Sequence, residues 1–363
     1  MPLRIERRPR PSRLMRWASP LIAVALTLLV AMAMFALDGR PPLTTLWVFL
    51  STPLSDLYGF GELLLKAAPL ILIGVGLAIG FRAGVWNIGA EGQLVLGVIF
   101  GGWLALEFGG AGPWVMPAML VLGGIGGALW AAIPALLKTR FNASEILTSL
   151  MLNYCAQLWL AYLVFGPWRD PAGFNFPQSA PLAPDTLLPI VIENTRANIE
   201  IVLALLAAAV AWIFIERTHL GFQLRVTGAA EGAARYAGFP VRRAVWIGML
   251  CGGFAAGVAG VGEIAGPLGQ IFPTASAGYG YAAIIVAFLG RLHPAGIVLA
   301  GLLLALLAIA GDYAQMMLGM PSSIGGLFQG TLLFFLLAAD VLTTWRIRRV
   351  EDAPSPLSSA EAA

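Results

Sequence analysis

Asn87, Glu91 and Gln93 stand close together in the stretch GVWNIGAEGQLVLGV (84–98), where one strongly apolar segment ends and the next begins. Asn87 and Glu91 are four residues apart, so a helix would place them on one face with Gln93 close by. Amides offer donors and acceptors, and a carboxylate offers acceptors. The chemistry available is therefore recognition of a polar solute rather than bond making. In lipid, a glycine-rich interruption of helix is tolerated only where protein or water surrounds it. These residues fit a substrate site or gate at a half-helix terminus. They fit equally a short cytoplasmic loop in which Asn87 or Glu91 only caps a helix start.

A second group lies in NASEILTSLMLNYCAQ, where Glu145, Ser149, Asn153 and Gln157 recur every four residues on an apolar segment. Such a stripe must face protein or water. Its two readings are a pathway lining, favoured for Asn153 and Gln157, and hydrogen-bonded glue between helices worth about 0.6 to 2 kcal/mol per bond. In IGMLCGGFAAGVAGVGEIAG, Gly248 with Gly252 and Gly253 with Gly257 are spaced for close helix packing, and Glu263 closes the segment. The stretch from His219 to Ala244 is too polar to span. Its AAEGAARYAG portion has the character of a short surface helix ended by Gly238 and Pro240.

Other chemistries find no support. No G-x-x-x-x-G-K-[ST] occurs, and the lysines, Lys66 and Lys138, lie in unrelated contexts, so ATP is not held by a P-loop here. His219 and His293 are isolated, and Cys155 and Cys251 have no metal-ligand spacing. No catalytic set and no metal site is expected, which argues against a hydrolase or metalloenzyme.

The elements that carry these residues follow from composition. Hydrophobic residues make up 59% of the 363-residue chain and charged residues 11%, the balance of a membrane protein. Apolar runs place spans near 18–37, 62–80, 92–107, 115–137, 145–165, 199–215, 244–264, 280–290, 294–314 and 323–343. The expected fold is an all-α polytopic bundle of about ten transmembrane helices. At least one is broken or short, since 280–290 cannot cross alone unless it starts near Ser276. Ala31-Met32-Ala33 offers a signal-cleavage pattern, but the run from Ala18 to Leu37 exceeds a signal core and reads as the first anchor.

The arginines read as topology signals rather than a nucleic-acid footprint. The start of the chain, the Lys138/Arg140 turn, the Arg217 to Arg243 stretch and Arg346 to Arg349 are all expected in the cytoplasm, as are both termini. The expected organisation is a basic cytoplasmic tail (1–17), a transmembrane domain (18–345) and a disordered cytoplasmic tail (346–363). Within the transmembrane domain, a proline-rich external loop spans 166–198 and a cytoplasmic loop spans 216–243.

Taken together, FRAGVWNIGAEGQLVLGV, NASEILTSLMLNY, LRVTGAAEGAARYAGF and SAGYGYAAIIVAFLGRLHPAG resemble the permease subunits of bacterial ABC importers. The branch is that of nucleoside and simple-sugar permeases paired with basic-membrane-lipoprotein binding proteins, within the branched-chain and ribose-like permease superfamily. The resemblance implies a multi-pass inner-membrane transport subunit that is not an enzyme and holds no cofactor. ATP and Mg would be bound by a partner ABC ATPase subunit. It also implies a second, related permease in a heterodimer and an external lipoprotein that delivers the ligand, most readily a nucleoside. Simple-sugar import is the alternative, with an ion-coupled secondary transporter behind it. The substrate pathway residues are then Asn87, Glu91, Gln93, Glu145, Asn153 and Gln157. ATPase coupling falls to Gly228, Glu231, Ala233, Ala234, Arg235, Tyr236, Ala237 and Gly238. Ala229 and Ala230 stand where the family pattern has leucine and asparagine.

Overall fold

The computed structural model describes residues 3–7, 12–321 and 323–349. From the N-terminus the elements are β1 (Leu3–Arg7), α1 (Arg13–Leu37), α2 (Pro42–Ser51), α3 (Leu57–Arg82), α4 (Ala90–Phe108), α5 (Val115–Phe141) and α6 (Glu145–Phe165). After a long loop come α7 (Glu200–Arg217), α8 (His219–Ala229), α9 (Glu231–Tyr236), α10 (Val241–Glu263), α11 (Tyr279–Leu289), α12 (Pro294–Leu318), α13 (Ile324–Thr344) and β2 (Trp345–Arg349). Among the described residues, eight helices are each long and apolar enough to cross a membrane, and α7 qualifies together with α8, which continues it after a 75° bend. The remaining apolar helix, α11, has 11 residues. Every stretch expected to span is thus helical, and the short one begins at Tyr279.

The chain forms two compact units, Met1–Val48 with Ser323–Ala363, and Phe49–Ser322. In the first, α1 packs along α13, with Phe35 and Phe328 edge to face at 6.3 Å. The two ends also pair, β1 running antiparallel to β2 from Leu3↔Arg349 to Arg7↔Trp345. The expected tails therefore carry order that polarity alone did not announce: α1 starts at Arg13, inside the 1–17 segment, and Arg346 to Arg349 lie in a strand. The rest of the 346–363 tail lies outside the described residues.

In the second unit, α3 and α10 form the centre. Helix starts are set by polar caps: Asp56 Oδ1 accepts from Gly59 N at 2.9 Å ahead of α3, and Thr218 Oγ1 accepts from Gly221 N at 3.0 Å where α7 gives way to α8. Asn142, at φ 53°, ends α5 in the left-handed conformation that asparagine tolerates. Small residues then let backbones meet. A Cβ on Gly257 of α10 would lie 2.1 Å from the Gly123 carbonyl oxygen of α5. A Cβ on Gly97 of α4 would lie 2.1 Å from the Gly257 oxygen, and one on Gly248 2.7 Å from Gly80 Cα of α3. Hence α10 packs against three helices at contact distances that no larger side chain permits.

The 166–198 loop is tied down rather than trailing. Arg196 makes a two-pronged pair with Glu62 of α3, both contacts 2.7 Å, and this pairing raises the already high pKa of Arg196. Asp185 accepts from the backbone N–H groups of Gly110 and Gly112 at 2.9–3.0 Å. Those two bonds hold its carboxyl below the usual range.

Candidate functional site

Between α3 and α4 the chain leaves helix: Val85 to Ile88 has no regular secondary structure, after a turn at Gly84 with φ +75°. Unpaired peptide groups here need partners, and the amides supply them. Asn87 and Gln93 exchange two side-chain hydrogen bonds of 2.9 Å, and Asn87 Oδ1 also accepts from Gly89 N at 3.0 Å. Asn153 reaches across from α6. Its Oδ1 accepts from Gly92 N at 2.9 Å, while its Nδ2 donates to the Ile88 oxygen at 3.0 Å and the Tyr281 hydroxyl at 3.1 Å. All three residues are buried.

The half-span α11 meets this break head-on. Glu91 sits in the first turn of α4, and its two carboxylate oxygens accept from Gly278 N at 3.0 Å and Gly280 N at 2.7 Å. It thereby satisfies the free N–H groups at the start of α11 and complements the positive end of that helix. Gly280 is required for this approach, because a Cβ there would stand 2.2 Å from Glu91 N. The two glycine-flanked segments GAEGQ and GYGYAA thus touch at their helix starts.

The depth of this meeting point follows from helix geometry. At 1.5 Å per residue, the 11 residues of α11 cover about 16 Å. Helix α11 ends beside Leu292, whose oxygen accepts from Arg82 Nε at 2.9 Å at the basic end of the bundle. A hydrocarbon core is about 30 Å thick, so a helix of this length reaches about halfway across it. There Glu91, Tyr154, Gln157, Ser276 and Tyr281 line a cleft of about 560 Å³. Glu91 is buried at its floor, whereas Tyr154 is 57% and Tyr281 38% exposed at its walls.

The residues singled out in the sequence are therefore split. Glu91 and Gln157 line the cleft. Asn87, Gln93 and Asn153 hold the backbone behind it. Glu145 lies away from the cleft, at the α5–α6 turn, where its Oε2 is 2.9 Å from Lys138 Nζ. Glu263 is buried at the end of α10. Tyr154, Ser276 and Tyr281 escaped the sequence reading because a tyrosine or serine in an apolar run looks like packing.

At the basic end, α9 forms the surface helix expected of AAEGAARYAG. Ala234 is buried, Ala233 and Arg235 are exposed and Tyr236 is 97% exposed. Glu231 pairs with Arg235 at 2.5 Å, and Gly238 stops the helix at φ +76°. Gly228 lies against the end of α3, where a Cβ would stand 2.0 Å from the Arg82 oxygen. The guanidinium of Arg82 contacts Glu216 Oε1 at 2.7 Å, and Glu216 Oε2 contacts Arg225 of α8 at 2.8 Å. Arg82 thus joins α3, α7, α8 and the end of α11, a role the sequence did not signal.

Residues 59–337 match the family described as the permease component of branched-chain amino acid transport systems. The glucose ABC transporter permease protein TsgB13 of Haloferax volcanii is 33% identical over 362 aligned residues, covering 95% of each chain. The guanosine ABC transporter permease protein NupP of Bacillus subtilis is 31% identical, covering 90% of this chain and 94% of that protein. The nucleoside ABC transporter permease protein NupB of Lactococcus lactis is 27% identical, covering 87% and 89%.

Proposed function

The chain belongs to the family of permease components of branched-chain amino acid transport systems, and we propose that its cargo is a nucleoside, carried inward through a multi-pass ABC importer subunit. The observation that carries this reading is the polar break of helix at mid-membrane depth, fixed by Asn87, Gln93 and Asn153 and bordered by an open cleft. Irregular backbone at that depth belongs beside a solute path. Relatives named as guanosine and nucleoside permeases point to the cargo. A simple sugar is the second reading, favoured by the relative named as a glucose permease.

In this reading the basic end faces the cytoplasm, with both termini on that side, and α9 fits a groove on a separate ATPase subunit that binds ATP and Mg. A second, related permease completes the membrane part, and an external lipoprotein delivers the cargo. Ligand delivery and ATP binding each favour a different arrangement of the same helices, so each changes the affinity for the other. The contacts of Gly228 and Arg82 supply a continuous physical connection from α8 and α9 to the ends of α3 and α11.

The test is purification from the native membrane in mild detergent, identification of the accompanying chains by mass spectrometry, and ATP-driven uptake in proteoliposomes with labelled nucleosides and hexoses. We expect an ABC ATPase and a second permease, with nucleoside uptake. A chain that emerges alone and catalyses uptake driven by an ion gradient overturns the importer reading. Hexose uptake without nucleoside uptake replaces the cargo.

A further inference from the structure

Most polar groups near the cleft are already engaged. Asn87 and Gln93 are occupied with each other, Asn153 with backbone, and the Glu91 carboxylate with two N–H groups of α11. What remains in the lining is the Gln157 amide, the Tyr154, Thr274 and Tyr281 hydroxyls, and the rings of Tyr154 and Tyr281. The Tyr281 oxygen accepts from Asn153, which leaves its own proton free to donate. Among the described residues, no lysine or arginine lines the cleft.

That inventory selects a cargo class. Without a cation to meet it, a phosphate would be desolvated and unpaired, so a nucleotide is disfavoured. A hexose carries a hydroxyl on nearly every carbon, more than the Gln157 amide and the Tyr154, Thr274 and Tyr281 hydroxyls can pair, and each one left without a partner carries a cost. An uncharged heteroaromatic ring suits the site. It stacks on tyrosine and needs only a few edge hydrogen bonds, which an amide can both donate and accept. The volume of about 560 Å³ is in the range of small-molecule sites.

The open side also needs a cover. Polar groups at mid-membrane depth are not left facing lipid, and α6 turns Tyr154 and Leu158 outward. We propose that Tyr154, Gln157 and Tyr281 form this chain's half of a cargo site, which stacks an uncharged nucleobase and pairs its edge, with the second permease closing the other half. The assignment rests on the importer reading above.

The test uses the complete complex, with its ATPase, second permease and lipoprotein, in proteoliposomes and a photoactivatable azido-nucleoside as probe. Adducts are expected on peptides covering 154–161 or 273–281, displaced by unlabelled nucleoside but not by hexose. Tyr154→Phe should label within about twofold of the natural chain. Tyr154→Leu, which keeps bulk but loses the flat ring at a largely exposed position, should label about tenfold less, as expected for loss of one base–aromatic stack. Basal ATPase activity reports that both variants assemble. Nucleoside uptake with adducts elsewhere, with no adduct, or with equal labelling of the two variants overturns this site and leaves the importer reading standing. A complex that takes up hexose and no nucleoside overturns this site and the nucleoside cargo, while the importer reading stands.

Discussion

Replacing Asn153 with leucine tests whether the buried amides hold the helix break in place. Leucine keeps the branched outline, is larger and makes no hydrogen bonds, so the change removes three of them: to Gly92 N, to the Ile88 oxygen and to the Tyr281 hydroxyl. Interhelical hydrogen bonds in membranes are worth about 0.6 kcal/mol on average and up to about 1.7 kcal/mol, so three sum to about 2–5 kcal/mol. The upper half of that range is favoured, because two of the lost partners are backbone groups in a buried stretch where water does not replace them. The assay is reversible unfolding of the detergent-purified chain by increasing SDS, followed by tryptophan fluorescence. Gln157→Leu is the control: its side chain faces the cleft, so its stability should stay within about 0.5 kcal/mol of the natural chain while uptake falls. An Asn153→Leu variant within about 0.5 kcal/mol of the natural chain would refute the clamp.

Three further outcomes are expected. Gly257→Ala places a Cβ 2.1 Å from the Gly123 oxygen, so α5 and α10 must separate. Overpacking of this kind costs about 1–3 kcal/mol or more in the same SDS titration, whereas Gly326→Ala on α13, with nothing within 4 Å, should be neutral or slightly stabilising. Because the Asp185 carboxyl is held below its usual pKa by Gly110 and Gly112, its contribution is present at neutral pH and lost as pH falls through the folded value; thermal unfolding from pH 7 to pH 3 should show an acid-side loss that Asp185→Asn lacks. Ala233→Glu on the exposed face of α9 should leave the chain inserted and folded but release ATP hydrolysis from uptake, whereas normal uptake would defeat the coupling assignment.

The spans were legible because runs of apolar residues broken by Gly, Pro and charge leave few alternatives in a chain this hydrophobic. The half-span was legible from length alone, since 280–290 could not reach across. The four-residue stripe on α6 was read correctly as a stripe, yet its members do different things. Each step of four moves about 6 Å along the axis and turns the direction by roughly 40°. Glu145 therefore ends at a charged turn with Lys138, Asn153 at the break and Gln157 at the cleft. What local pattern could not disclose was partnership at a distance. Glu91 reaches N–H groups 187 and 189 residues away, and nothing near residue 91 indicates which helix start it serves. Arg82 was invisible for the same reason, since its acid, Glu216, is 134 residues away.

The glycine contacts of α10 bear on how such a machine moves. Where Gly257 faces Gly123 and Gly97, and Gly248 faces Gly80, main chain touches main chain. Side chains can absorb a small slide by changing rotamer, but backbone has no such slack. Helices α3, α4, α5 and α10 therefore behave as a chassis, displaced together or not at all. Alternation between outward and inward openings must then be carried by parts mounted on that chassis, chiefly α6, α11 and the α8–α9 pair, or by tilting of the whole frame against a neighbouring subunit. The cleft lies along the seam between chassis and mounted parts, with Glu91 on one side and Tyr154 and Tyr281 on the other. A shift along that seam would change the shape of the cleft and leave the glycine contacts of α10 intact, while breaking the close approach of Gly280 to Glu91.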